Sequence, residues 1–70
     1  MARKYRYFIN REIGLLIVER PDGVVPFHLT ILEQNGQTLT QFADHFEGAP
    51  KTMYGAWKTF DLSDYTEVFP

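Results

Sequence analysis

From residue 4 to residue 33 the chain is written in short runs of Val, Ile, Leu, Phe and Tyr, broken by turn-forming residues. Runs of this length and composition predict β-strands, here at residues 4–9, 15–20 and 24–33. Arg20-Pro21-Asp22-Gly23 separates the second from the third. Proline presets the first central torsion of a type I turn, and glycine accepts the left-handed position that closes a bulged hairpin. Asn10-Arg11-Glu12-Ile13-Gly14 makes a looser connection ending on a permissive glycine. Because alternate side chains of a strand point to opposite faces, Tyr5, Tyr7 and Ile9 share one side and Lys4 and Arg6 take the other. With those turns, one register sets Leu15, Ile17, Val25, Phe27, Leu29 and Ile31 beside the tyrosines. A slip of one residue would scatter the set over both faces.

After Asn35-Gly36 the period lengthens. A hairpin into a fourth strand at residues 38–42 is one solution, since Asn-Gly favours hairpin turns. A helix fits better. Thr38 and Gln41 form a capping box, Leu39, Phe42, Ala43 and Phe46 recur at helical spacing, and Gly48 stands at the stop. A second helix is expected at residues 50–60, with Pro50 in its first turn and Met53, Ala56, Trp57 and Phe60 on one stripe. Gly55 inside it costs about 1 kcal/mol relative to alanine. The acidic segment 61–70 holds either a last turn capped by Ser63 or an edge strand over 65–69. The expected architecture is α+β: a three-stranded antiparallel β-meander with one apolar face covered by two short amphipathic helices.

Seventy residues make a single small domain, 1–70. At this size a core seldom supplies more than about 3–5 kcal/mol net. With no cysteine there are no disulfides or thiolate metal sites to supplement it. Six Phe, four Tyr and one Trp are the available compensation, together with self-association. The longest aliphatic run, residues 14–18, is too short to span a bilayer, so no membrane partner is expected and a cytoplasmic location is.

Charge is split. Residues 1–11 carry +4 from Arg3, Lys4, Arg6 and Arg11, and residues 12–70 carry −6. Either two faces meet different partners, or a basic arm lies on its own acidic body. Catalytic chemistry is poorly represented. Ser63 is the only serine, no glycine-rich phosphate loop is present, and no Ser/His/Asp grouping occurs. In Asp44-His45-Phe46-Glu47 the two acids share a helix face while His45 points about 100° away, which is not the i, i+4 histidine pair of a metal site. Neither an enzyme, nor a cofactor, nor a metal is expected.

Two binding classes remain. The span 38–60, helix, glycine-containing turn, helix, resembles a helix-turn-helix unit, with Phe42, Ala43, Phe46 and Met53 at its internal-contact spacings. The resemblance implies a second helix presenting Lys51, Thr52, Tyr54 and Lys58 to a major groove. The basic first strand would then serve as a ribbon or wing. Asp44, Glu47, Asp61 and Asp64 flank the two lysines, however, and duplex binding needs several phosphate-neutralising bases on one face. Protein–protein contact is therefore the leading expectation: an adaptor, regulator or inhibitor of a larger assembly, or a homodimer. Its contact residues would be Arg3, Lys4, Arg6 and Arg11, carried on a first strand that forms the sheet edge. The tail Val68-Phe69-Pro70 is a further candidate for crossing to a second subunit.

Overall fold

A computed structural model describes residues 3–49 and 54–70. It is a small α+β fold built on a four-stranded antiparallel sheet. The strands are β1 (Arg6–Asn10), β2 (Leu15–Arg20), β3 (Gly23–His28) and β4 (Thr66–Val68), in the spatial order β3-β2-β1-β4. Two helices, α1 (Leu29–Gln34) and α2 (Leu39–Gly48), lie between β3 and β4 in the chain. The first three strands form the expected meander. The fourth was one of two readings of the acidic tail, and its presence makes β1 an interior strand, which corrects the expectation that β1 is the sheet edge.

The register corrects the single apolar face. Tyr7 stands opposite Val18 and Ile9 opposite Leu16. Val18 in turn faces Val25, and Leu16 faces Phe27. The middle strand therefore presents its even positions, not Leu15 and Ile17, to the side shared by Tyr7 and Val25. Both connections differ from expectation by one residue. Four residues, 11–14, link β1 to β2, closed by the Gly14 N–H on the Asn10 carbonyl. Only Pro21 and Asp22 link β2 to β3, so Gly23 pairs with Arg20 and does not sit in the turn. Leu15-Leu16-Ile17-Val18 is apolar at every position, so its pattern does not distinguish the faces and turn geometry decides.

The sheet accordingly carries two cores. On one side Tyr7, Ile9, Leu16, Val18 and Val25 pack with Leu29 and Leu32 of α1 and Phe42, Ala43 and Phe46 of α2. Phe27 sits at the centre of an aromatic group there, its ring 4.9 Å from Phe42, 5.5 Å from Phe46 and 5.3 Å from Tyr54. On the other side Phe8, Ile17 and Val24 are buried beneath Phe60, Leu62 and Tyr65. The chain after α2 is thus a strap. Tyr54 and Ala56 pack on the helix side, Trp57 bridges the edge of β3 at Val24, and residues 60–65 cross the opposite face to reach β4.

One further expectation is corrected, and the less favoured alternative at Asn35-Gly36 is not adopted. The strand expected at 24–33 ends at His28, and Leu29 opens α1 with its N–H on the Gly14 carbonyl. Leu29 and Leu32 are buried at helical spacing while Ile31 is 47% exposed, a distribution no continued strand would produce. Asn35-Gly36 is no hairpin turn. It closes α1 in a Schellman motif, with Gly36 at φ +63° and the N–H groups of Gly36 and Gln37 on the carbonyls of Glu33 and Leu32. The α2 start is as expected: the Thr38 hydroxyl accepts from Gln41 N–H and the Gln41 side chain accepts from Thr38 N–H.

Candidate protein-binding surface

The structure does not bring the four amino-terminal bases together. Arg3 turns to the helix layer, where its guanidinium pairs with Asp44 and its Nε donates to the Pro70 carbonyl. Arg6 lies on the opposite face between acids of two neighbouring strands. Its Nη2 and Nε donate to the two carboxylate oxygens of Glu67 at 2.9 and 3.0 Å, and its Nη1 is 3.4 Å from Glu19 Oε1. The guanidinium also covers the Phe8 ring at 5.1 Å. Glu67 raises the Arg6 pKa, and the Arg6 hydrogen bonds hold the Glu67 carboxyl below its ordinary value. Lys4 is exposed, with its backbone N–H on Glu47 Oε1 at 3.2 Å. Arg11 is exposed at the far end of β1, on the rim of an open cleft of about 890 Å3 that Glu12, Asp61 and Asp64 also line. Of the two sequence alternatives for the charge split, the arm on its own acidic body describes Arg3 and Arg6.

The second helix expected at 50–60 is corrected where it is described. Residues 54–60 are not helical, because Trp57 must extend to exchange backbone hydrogen bonds with Val24. Lys51 and Thr52 lie outside the described residues. Tyr54 is half-buried, stacked on Phe46 at 5.1 Å, with its carbonyl accepting from Arg20 Nη1. Lys58 is exposed on the strap. The groove-reading face that a helix-turn-helix unit requires is thus not formed by Tyr54 and Lys58.

Asp44 and Glu47 do share a face of α2, and both are used to hold the first strand. Asp44 takes Arg3; Glu47 accepts from the Tyr7 hydroxyl at 2.6 Å as well as from Lys4 N–H. Burial first, and Glu47 second, push the Tyr7 hydroxyl well above the usual tyrosine range. His45 is exposed. Among the described residues no three His, Asp or Glu side chains gather as metal ligands, and no helix is long and apolar enough to cross a membrane.

The two sheet edges are unlike. On β3, Val24 gives both backbone groups to Trp57 and so points away from β2. Alternation sends the backbone of Pro26 the same way, where proline has no N–H to offer. Carrying that alternation across the registers turns Thr66 and Val68 of β4 toward β1 and leaves Glu67 and Phe69 facing outward. Among the described residues nothing pairs with that outer edge. Phe69, next to it, is 86% exposed, the most exposed large apolar side chain described. Sequence reasoning placed the leading contact surface on β1 and named Phe69 only within an alternative edge strand over 65–69 and a tail crossing to a second subunit. The signal that could have found it was the Thr66/Val68 alternation followed by an unpartnered aromatic.

No protein-family model, curated protein or solved structure matches the chain.

Proposed function

We propose that the chain is a small non-enzymatic binding module of the cytoplasm that acts by protein–protein contact, as an adaptor, regulator or inhibitor of a larger assembly. The observation that carries this reading is Phe69, an aromatic left 86% exposed beside the open edge of β4. An edge strand offers backbone groups to a partner's strand, and an adjacent aromatic anchor supplies apolar contact. The nucleic-acid alternative is weakened by Arg3 and Arg6, whose guanidiniums are held by Asp44, Glu67 and Glu19. Among the described residues the bases not so held include Lys4, Arg11 and Lys58. Spread over the amino-terminal segment, the far end of β1 and the strap, they are too few and too scattered for strong phosphate binding.

A photo-crosslinking amino acid at position 69 tests the reading. Adducts to protein are expected from position 69 and not from Thr30, an exposed polar position on α1. No adduct from position 69 would overturn it. So would steeply salt-dependent binding to random-sequence nucleic acid that is lost in a Lys4→Ala/Arg11→Ala double variant, which leaves the ion pairs of Arg3 and Arg6 intact.

A further inference from the structure

We infer that the β4 edge pairs with the β4 edge of a second copy of this chain, antiparallel and centred on Val68. This names the occupant of the surface proposed above and rests on that reading.

The outward backbone groups of the edge belong to Glu67 and Phe69. In a two-fold antiparallel pair, outward residues must face outward residues. Three axes satisfy that condition. An axis at Glu67 sets the two carboxylates directly opposite one another, which is destabilising. An axis at Phe69 pairs only Phe69 of the two outward residues described. An axis at Val68 places each Glu67 across from the second copy's Phe69, and the two reciprocal pairs exchange about four backbone hydrogen bonds.

Side-chain placement agrees with that choice. Val68 stands opposite Tyr7 and packs on the helix-side core, so the two valines meeting at the axis join the two cores. Glu67 stands opposite Phe8 on the other face. Continuing that register puts Phe69 across from Arg6. Each Phe69 ring then lies between its own Arg6 and the second copy's Glu67. Both of those charges already have a partner, because Arg6 binds Glu67 within each copy. The pairing therefore covers the exposed rings without burying an uncompensated charge. It is also short. A contact of this length falls below the roughly 1,200 Å2 of a standard interface, which predicts a weak dimer with a dissociation constant on the order of 100 μM.

Sedimentation velocity at protein concentrations from about 10 μM to about 1 mM brackets that constant. A concentration-dependent dimer is expected, and Phe69→Ala, which removes an exposed side chain, should weaken it at least tenfold with unchanged circular dichroism. The register is tested by disulfide trapping, since the chain has no cysteine of its own. Opposed residues of a non-hydrogen-bonded pair have Cα atoms about 4.5 Å apart, within the roughly 4.4–6.8 Å that disulfides span. Val68→Cys should therefore oxidise to a covalent dimer faster than Glu67→Cys. Faster trapping by Glu67→Cys would overturn the register. A monomer at every concentration, with adducts from position 69 to other proteins, would overturn self-pairing and leave the protein-contact reading standing. A monomer with no adducts would overturn both.

Discussion

Tyr7 and Tyr65 lie on opposite faces of the sheet and use their hydroxyls oppositely. The Tyr7 hydroxyl donates to Glu47 at 2.6 Å. The Tyr65 hydroxyl, at the end of the strap, is buried with no hydrogen-bond partner among the described residues. The ring of Tyr65 meets Phe60 edge-on at 5.7 Å in the cluster with Phe8 and Ile17. Phenylalanine keeps the ring and removes only the oxygen, so the two Tyr→Phe variants isolate the two hydroxyls. A buried, unpaired polar group costs about 1–3 kcal/mol of desolvation. The Tyr65 side chain is only partly buried as a whole, so Tyr65→Phe is expected to stabilise the fold by about 1 kcal/mol, at the low end of that range. Tyr7→Phe loses a hydrogen bond to a charged acceptor and should cost about 1.5–3 kcal/mol. Urea denaturation reads both. With a slope near 1 kcal/mol per molar for so small a domain, Tyr65→Phe should raise the midpoint by about 1 M and Tyr7→Phe should lower it by more. A lower midpoint for Tyr65→Phe would mean the hydroxyl has a partner, and the placement of the strap over Phe8 and Ile17 would then be wrong.

Gly23 has φ +143°, and a Cβ there would run into the Trp57 carbonyl. Gly23→Ala should therefore cost about 1–3 kcal/mol in strain and loosen the bridge. The fluorescence of Trp57, the single tryptophan, should shift to the red; an unshifted spectrum would count against the bridge. Ile17→Ala should cost about 2–5 kcal/mol by chemical denaturation, as much as Leu16→Ala, because both faces are covered; a loss under about 1 kcal/mol would mean the strap leaves its face open. Acid should weaken the fold through Glu67. Its folded pKa is depressed by Arg6, so the stabilisation is complete above the unfolded carboxylate value and is lost as pH falls through the lower folded one. Melting curves of Glu67→Gln should be flatter across that acidic window than those of the unaltered chain.

The strands, the α2 capping box and the aromatic stripe of α2 were legible because each is a local pattern with its own physical cause. Thr38 and Gln41 satisfy each other's backbone whatever lies around them. The facing of β2 was not legible, because Leu15 to Val18 is apolar at every position and the deciding quantity was the length of two turns. Apolar alternation alone would also have carried β3 through Leu29 and Ile31. The contact of Leu29 N–H with Gly14 turns the chain instead, and it joins residues far apart in sequence. The strap misled for a related reason. Ala56, Trp57 and Phe60 do recur at helical spacing, yet they touch opposite sides of the sheet, with Ala56 on the helix side and Phe60 beneath it. The basic residues of the first strand read as a surface because their partners, Asp44 and Glu67, lie 41 and 61 positions away.

That last separation governs how the molecule can come to be. β1 is made before the other strands of this sheet and acquires its second neighbour, β4, only after β2, β3 and both helices, so Thr66 must emerge before the sheet can close. Until then Tyr7 and Ile9 have an open flank, and the nascent chain is exposed to capture by other extended polypeptides. Sheet completion is thus postponed until β4 has emerged, and assembly is expected to be slow for so small a sheet, because so many of its contacts are remote along the backbone.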